Sequence, residues 1–386
     1  MRIEETDMTA YLDNAATTKV SRAAARAALQ TMTEGFGNPS ARYPLGGQAA
    51  KRLKADRETV AKALGCDSRE LIFTSCGTEG DNWAIQAALQ KNRHLGRHII
   101  TTAIEHAAIL EPCKRLEQQG YEVTCLLPNA EGGIDLGDLE AALRPDTVLV
   151  SMMLVNNELG TILPVKEAAA PTHRLAPKAL FHTDAVQGFL KLPFTPKGLG
   201  VDLLTISGHK IHAPKGIGAL YIRSGLRIDP MILGGGQENG LRSGTEPTAQ
   251  IAALAAACAE GKQNLGRDIA HMRELKAYTL EQLSIRVPEA EQIGRGEAPH
   301  ILALTLPGYK AEVLVRVLGD MGVCVSAGSA CHRGRPSHVY AAMGLDKAHR
   351  EGSFRVSFSG DTQRVEVDAF LDVLTQAKAK LFTSMS

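Results

Sequence analysis

The chain has 386 residues, of which 44% are hydrophobic and 22% are charged, and its formal net charge is +1. This is ordinary globular composition, and the length suffices for two domains with a sizeable core. The near-neutral charge gives no reason to expect a nucleic acid or an anionic membrane as a partner. No apolar run approaches a membrane span, and the opening MRIEETDMTA lacks the layout of a signal peptide, so we expect a cytoplasmic protein.

The seven cysteines are scattered along the chain and odd in number. They form no CxxC pair and no clustered Cys/His spacing, so neither a disulfide framework nor a structural metal site is expected. We expect most of them to be small buried hydrophobic residues. Cys331 is the exception, because SAGSACHRGRPSHV (326–339) surrounds it with small residues and cations and has no apolar periodicity, which predicts a surface loop.

The first part of the chain alternates short β-branched runs with longer helical patterns. The segment 106–120 is one of the helical patterns, since its apolar residues recur at helical spacing and a glycine ends it. Continuous apolar strands separated by helices predict an α/β domain whose mainly parallel sheet is covered on both faces. The runs that we predict as buried strands are HIITTA (98–103), VTCLLP (123–128), TVLVSMML (147–154), LFHTDA (180–185) and LLTISG (203–208).

A second, smaller α+β domain is predicted toward the C-terminus. From about Thr248 to Ser284 the sequence is rich in alanine and has few helix breakers, which predicts a long helix or a helix pair leaving the first domain. We therefore expect a large domain of residues 15–255 and a small domain of residues 1–14 and 256–386. The segments that predict the small domain are HILALTLPG (300–308), VLVRVLGDMG (313–322), GSFRVSFSG (352–360) and VDAFLDVLTQAKAKLF (367–382).

In a parallel sheet ligands bind outside the carboxyl ends of the strands, so polar residues that follow the predicted strands are candidates for a site. Gly77 and Thr78 follow LIFTS (71–75) and open a helical pattern. Backbone N–H groups and a hydroxyl at a helix start suit a phosphate, although a threonine there is also an ordinary N-cap. His106 lies at another predicted helix start, where it is either a capping residue or a ring that lies on a planar cofactor.

Carboxylate and amide side chains follow two further strands. Asn156, Asn157 and Glu158 come directly after a very apolar run, and a ligand is one candidate for satisfying them. Asp184 ends a buried run, so its carboxylate needs a cationic or N–H partner. A protonated heterocyclic nitrogen or a structural arginine would serve equally.

Lys210 follows Ser207, Gly208 and His209 at the end of one more strand. A lysine is ordinarily solvated, but desolvation between apolar strands would lower its pKa and make the amine nucleophilic. A lysine that can form a Schiff base, an aspartate for a ring nitrogen, a stacking histidine and a phosphate-binding turn are the parts of a pyridoxal phosphate site. Their order along one alternating α/β chain predicts such a site.

Long and specific motifs run along nearly the whole chain. They are YLDNAATT (11–18), GNPS (37–40), FTSCGTEGDN (73–82), EH (105–106), VNNELGT (155–161), HTDAVQ (182–187), SGHKIHAPKGIGALY (207–221), GGGQENGLRSGT (234–245), SAGSAC (326–331) and FRVSF (354–358). In these motifs the sequence resembles the cysteine desulfurases of the NifS/IscS-like group, in the class V aminotransferase superfamily. The resemblance implies the fold of a fold type I pyridoxal phosphate transferase: a mainly parallel seven-stranded sheet with helices on both faces and a smaller α+β domain.

The resemblance implies roles for the residues around the cofactor ring. Lys210 would hold pyridoxal 5'-phosphate covalently and later transfer protons. Asp184 would pair with the ring nitrogen, and His106, also a catalytic residue, would stack on the ring. Asn157 and Gln187 would bind the side of the ring that carries the phenolic oxygen.

The resemblance also implies how the phosphate is held. Thr245 matches a residue that reaches the phosphate of a neighbouring subunit, so a homodimer is expected. Cys76 stands where the family's common turn has glycine, and we expect it to pack close to the cofactor. The phosphate-binding residues within one chain would be Gly77, Thr78, Ser207 and His209.

The substrate implied by the resemblance is L-cysteine. Arg355 would fork onto its carboxylate, a geometry that lysine does not supply, and Asn38 and Asn157 would lie near it. Cys331 would take the sulfur as a persulfide and leave L-alanine. The cations that follow it, His332, Arg333 and Arg335, would favour the reactive thiolate.

The acceptor of the sulfur stays open at this stage. The segment after Cys331 is short and basic, and an iron–sulfur scaffold protein, a tRNA- or cofactor-thiolation enzyme and another carrier all remain candidates. A selenocysteine lyase or a cysteine/cystine lyase on the same fold is an alternative. A non-catalytic sulfur-carrier subunit is a third, disfavoured because Lys210, Asp184, His106 and Arg355 are all intact.

Overall fold

The structure, a computed structural model, describes residues 10–327 and 337–381. Strands and helices alternate through the first part of that range. The described residues form the strands β1 (Ala10–Tyr11), β2 (Leu71–Thr74), β3 (His98–Thr102), β4 (Glu122–Leu126), β5 (Thr147–Ser151), β6 (Leu180–Asp184), β7 (Leu203–Ser207), β8 (Gly218–Ile222), β9 (Glu291–Gln292), β10 (Ile301–Thr305), β11 (Val323–Cys324), β12 (Ser326–Ala327) and β13 (Ser353–Ser357).

The helices are longest where the sequence has the fewest breakers. The described residues form the helices α1 (Arg22–Thr33), α2 (Pro44–Leu64), α3 (Gly77–Asn92), α4 (Ala107–Glu117), α5 (Leu136–Ala142), α6 (Val165–Leu175), α7 (Pro196–Leu199), α8 (Thr248–Arg286), α9 (Ala311–Asp320), α10 (His338–Ala342), α11 (Lys347–Glu351) and α12 (Arg364–Lys380). The alanine-rich segment after residue 248 is thus one helix of 39 residues.

The main sheet has seven strands in the order β2-β8-β7-β6-β5-β3-β4. β8 runs antiparallel to both of its neighbours, and the other pairs are parallel. Successive residues of the central strands enter different cores: Leu149 packs with α3 and α4, whereas Val150 packs with α2, α6 and the start of α8. Because side chains alternate across a strand, this places helices on both faces of the sheet. The predicted fold class is confirmed.

β4 corrects one expectation about the strands. The run at 123–128 was expected to form a buried strand, but β4 is the edge strand of the sheet, and Leu126 is its one buried residue. An edge strand has a neighbour on one side only, so its side chains are less covered than those of β3 and β5. An apolar run does not reveal whether it lies in the middle of a sheet or at its edge.

The C-terminal part forms a second, antiparallel sheet with the order β12-β13-β10-β9. Its core includes Phe354, Phe358 and Phe370, and α8, α9 and α12 pack on it. α8 joins the two parts: Ile251 near its start belongs to the core of the main sheet, and Met272 and Leu275 belong to the core of the second. The boundary at residues 255 and 256 stays a prediction.

The cysteines also differ from expectation. Cys113 and Cys258 are buried, but Cys66, Cys76 and Cys324 are half-buried and Cys125 is exposed on the edge strand β4. The six described cysteines are all free thiols. Across residues 10–327 and 337–381, none of the helices is both long and apolar enough to cross a membrane.

Candidate active site

A cavity of about 230 Å³ opens where the central parallel strands end. Its walls come from the turns after β2, β3, β5, β6 and β7 and from the second sheet. Ten of the residues predicted from the sequence line it: Gly77, Thr78, His106, Asn157, Asp184, Gln187, Ser207, His209, Lys210 and Arg355. Segments that are far apart in the chain therefore meet at one point, as expected at the carboxyl edge of such a sheet.

Three predicted residues are not among those that line the cavity. Asn38 is exposed, and its Oδ1 accepts a hydrogen bond from the backbone N–H of Ser40 at 2.9 Å. Thr245 is exposed too. Cys331 lies outside the described residues.

Lys210 ends a short 3-10 turn that follows β7 directly. Its Nζ donates hydrogen bonds to the carbonyl oxygens of Ala15 and Ala16, each at 2.7 Å. These alanines belong to the YLDNAATT motif, which thereby forms the wall opposite the lysine. The amine is held at the cavity by backbone acceptors and lies among groups that a cofactor can contact.

Two buried aspartates line the cavity together. Asp184, at the end of β6, accepts a hydrogen bond from the backbone N–H of Val186 at 2.8 Å. Burial raises its pKa, and the neighbouring charges of His106 and Lys210 lower it. Asp81, on α3, has its pKa raised by burial and then by Asp184. A cation that enters the cavity would relieve the cost of two buried carboxyl groups.

The turn at the start of α3 is shaped for close approach. A Cβ atom at Gly77 would lie 2.9 Å from Val186 Cγ2 and 3.5 Å from Ser207 Cβ, so a larger residue would force Val186 to move. Cys76, the N-cap of α3, makes no side-chain capping bond. The hydroxyl of Ser207 is buried without a partner in the described part of the chain. The Ser207 hydroxyl thus lies beside the backbone N–H groups at the start of α3, and the N-terminus of a helix favours an anion.

The two histidines of the cavity are positioned differently. His106 is the N-cap of α4, and its Nδ1 accepts from the backbone N–H of Ala108 at 3.1 Å. It therefore caps the helix and lines the cavity at once, so the two interpretations of this residue are compatible. Nδ1 of His209 lies 3.3 Å from Oγ1 of Thr17, and burial lowers the pKa of His209 to about 4.

Arg355, on β13, brings the second sheet into the site. Its Nη2 donates to Asp13 Oδ1 at 2.8 Å and its Nη1 to the carbonyl oxygen of Asn157 at 2.6 Å. Nε is buried and has no partner in the described part of the chain. Arg355 lines the cavity, and a guanidinium held in place there with N–H groups to spare is suited to bind a carboxylate.

Asp81 and Asp13 belong to this site, but no role was predicted for either of them from the sequence. Asp81 lies one helical turn after Gly77, so the helical spacing was a signal for it. Asp13 gave no such signal, because its partner Arg355 is 342 positions away. Asn156, for which a ligand was one candidate partner, is instead satisfied by the protein: its Nδ2 donates to Ile104 O, and its Oδ1 accepts from two backbone N–H groups.

The fold and the cavity together define an α/β enzyme whose site lies at the carboxyl ends of its sheet and is completed by the second sheet. The chain belongs to the aminotransferase class-V family, which matches residues 10–370. This confirms the resemblance drawn from the motifs.

The relatives are similar over nearly their whole length. A cysteine desulfurase of Nostoc sp. is 42% identical over 375 residues, which cover 96% of this chain and 93% of the relative. A solved structure of a NifS-like protein has a TM-score of 0.92 at 36% identity and covers 97% of this chain and 100% of the other. The structure of SspA in complex with cysteine has a TM-score of 0.79 at 33% identity and covers 92% and 100%.

Proposed function

We propose that this protein is a cysteine desulfurase that uses pyridoxal 5'-phosphate to convert L-cysteine to L-alanine and takes the sulfur as a persulfide on Cys331. The observation that carries the proposal is the convergence of Lys210, Asp184 and Arg355 on one cavity. An amine, a carboxylate for a ring nitrogen and a guanidinium for an amino acid carboxylate are the groups that this chemistry requires.

The residues of the cavity fit the cofactor. The unpartnered hydroxyl of Ser207 and the uncapped start of α3 suit its phosphate. The buried carboxyl of Asp184 suits a protonated ring nitrogen, because that cation would keep it ionised against the effect of burial. Lys210 is within the same cavity and suits covalent attachment.

When bound, the cofactor supplies an electron sink that weakens the bonds at the substrate's α- and β-carbons. Asp184 would keep a proton at the ring nitrogen, and His106 would stack on the ring. Lys210 moves a proton between the carbons of the substrate and its own Nζ. Arg355 orients the substrate through its carboxylate, using guanidinium N–H groups that Asp13 and Asn157 leave unused.

The sulfur transfer completes the reaction. The thiolate of Cys331 attacks the sulfur of L-cysteine, so that a sulfur–sulfur bond forms and the carbon–sulfur bond breaks. The electron pair of the broken carbon–sulfur bond stays with the β-carbon of the substrate. This carbon takes up a proton, and the product is L-alanine. The basic residues that follow Cys331 in the sequence favour the thiolate.

We place the active protein in a homodimer, in which Thr245 contributes to the phosphate site of the neighbouring subunit. The exposure of Thr245 and its position outside the cavity of its own chain support this. Asn38 would lie near the substrate. The sulfur acceptor would be an iron–sulfur scaffold protein or a thiolation enzyme. We place the protein in the cytoplasm, supported by the six free thiols, which suit a reducing compartment.

The proposal is tested by incubating the purified protein and cofactor with L-cysteine, L-selenocysteine or L-cystine. We expect a visible absorbance band from the bound cofactor and L-alanine from L-cysteine. Turnover of selenocysteine or cystine without turnover of cysteine would assign the protein to the lyase alternative. Failure to bind the cofactor would leave the non-catalytic subunit as the better account.

A further inference from the structure

Gln187 lines the cavity, and protein groups engage both ends of its side-chain amide. Its Nε2 donates to the carbonyl oxygen of Ala15 at 2.9 Å. Its Oε1 lies 3.2 Å from Nε2 of His300. The side chain is 5% exposed, so the amide has little access to water and its orientation is decided by these two neighbours.

His300 immediately precedes β10, the strand that pairs with β13 in the second sheet. It is 1% exposed, and its Nδ1 has no partner in the described part of the chain. Burial holds the pKa of His300 well below the ordinary range, and four cations lower it further: Lys191, Lys276, Arg355 and Lys210. His300 is therefore neutral and carries a single N–H.

That N–H belongs on Nε2. A hydrogen on Nδ1 would be a buried donor without an acceptor, and it would leave the lone pair of Nε2 facing the oxygen of Gln187. With the hydrogen on Nε2, the ring donates to Gln187 Oε1. The imidazole thus has one favourable tautomer at this position.

The reversed orientation of the Gln187 amide is unfavourable. It would turn Oε1 toward the carbonyl oxygen of Ala15, which also accepts from Lys210 Nζ at 2.7 Å. Two acceptors would then face each other in a buried site. The amide nitrogen is consequently directed away from His300, with one N–H on Ala15 and a second N–H left for the cavity.

We propose that His300 is a positioning residue, which makes Gln187 present an N–H donor to the cavity. The inference rests on the proposed function, in which Gln187 faces the phenolic oxygen of pyridoxal 5'-phosphate. A fixed donor favours that oxygen in its anionic form. The second sheet thereby reaches the cofactor through His300 and Gln187, in addition to its contribution of Arg355 to the substrate site.

The test is the pH dependence of the visible absorbance band of the cofactor-loaded enzyme. In His300→Leu the oxygen of Gln187 loses its donor and only the bond to Ala15 still orients the amide, so its N–H is less firmly fixed and the anionic phenolic oxygen is less stabilised. We expect the pKa read from the band to rise by about one pH unit, the size of one hydrogen bond to a charged group. His300→Gln, whose amide N–H can take the place of Nε2, should restore the wild-type value. His300→Asn is the matched control, because its shorter amide cannot reach Gln187 and should behave as His300→Leu.

A double-mutant cycle separates positioning from a general structural effect. In a Gln187→Leu background, His300→Leu should cause no further shift of the absorbance pKa. An unchanged pKa in His300→Leu, or the same shift with and without Gln187, would overturn the inference. If His300→Leu does not fold, the comparison of His300→Gln with His300→Asn decides it: equal pKa values in the two contradict the role. Absence of any visible band in the wild-type protein would instead count against the proposed function.

Discussion

The carboxylate of Asp13 and the guanidinium of Arg355 lie 2.8 Å apart, although they come from opposite ends of the chain. The pair links the YLDNAATT motif to the second sheet. Both side chains are largely buried, with 20% of Asp13 and 6% of Arg355 exposed. Because Nη1 is held by the carbonyl of Asn157 as well, the plane of the guanidinium is defined before any substrate arrives.

We expect Arg355→Lys to raise KM for L-cysteine by roughly 10- to 100-fold, because an ammonium cannot make the two parallel hydrogen bonds of a guanidinium. Asp13→Asn should raise KM by a smaller factor, since it loosens the arginine without removing it. Steady-state kinetics on cofactor-loaded enzyme measures both. Arg316→Lys on the exposed face of α9 is the control and should leave KM unchanged. A wild-type KM in Arg355→Lys would remove this arginine from the substrate site.

Covalent attachment of the cofactor is expected at Lys210. Borohydride reduction of the loaded enzyme should fix the cofactor on the peptide that contains this residue, as read by mass spectrometry. Lys210→Ala should abolish both the labelled peptide and the formation of alanine, because the attaching and proton-transferring amine is gone. Lys215→Ala, an exposed lysine in the same loop, is the matched control and should be labelled as the wild type is. Label on another lysine would contradict the assignment.

Glu105, fully buried beside His106, predicts a pH dependence of stability. Burial raises its pKa to about 8. Between a pH of roughly 4.3, where an unfolded glutamate titrates, and about 8, the folded chain retains a proton that the unfolded chain releases. The contribution of protonated Glu105 to the free energy of unfolding is therefore complete at low pH. It is lost as the pH rises toward about 8, with a slope of up to about 1.4 kcal/mol per pH unit.

Glu105→Gln resembles the protonated side chain and should remove this slope. Its oxygen can still accept from Met153 N, at 2.8 Å in the wild type, and from Thr102 Oγ1, at 2.9 Å. Urea unfolding of the full-length protein at several pH values gives the difference between wild type and variant. A constant difference across the range would show that Glu105 is ionised in the folded state.

Lys276 is buried on α8, and its Nζ donates to the carbonyl oxygens of Gly296, Ala298 and Ile301, the latter two at 3.0 and 2.6 Å. Lys276→Met should lower the free energy of unfolding by about 3 kcal/mol, because three buried acceptors lose their donor. Lys262→Met, at an exposed position of the same helix, should change it by less than about 0.5 kcal/mol. Similar denaturation midpoints for the two variants would contradict the structural role of Lys276.

Local pattern predicted much of the fold. Apolar runs and glycine stops located β3, β5, β6 and β7, because a buried strand must be apolar wherever it lies in the sheet. The reversed direction of β8 and the edge position of β4 were not predictable, since pairing depends on segments distant in the chain. The same holds for exposure: Cys125 has apolar neighbours in sequence, yet it is exposed on the edge strand.

Residues of the candidate site could also be predicted where the signal is local, but not where it depends on distant segments. Lys210 and Asp184 could be found because each is a charged residue at the end of an apolar run. Asp13 and His300 could not, because their roles come from partners distant in the chain: Asp13 contacts Arg355, and His300 contacts Gln187. Cys331 stays a prediction, since it lies outside the described residues.

The most direct test of the account is the reaction of L-cysteine with the wild-type protein and with Cys331→Ala, both loaded with pyridoxal 5'-phosphate. Alanine is quantified, and the peptide that contains residue 331 is examined by mass spectrometry. We expect alanine and the added mass of one sulfur atom on Cys331 in the wild type. In the variant we expect an unchanged visible band but no alanine. Alanine formation at the wild-type rate in Cys331→Ala would contradict the transfer of sulfur to this residue.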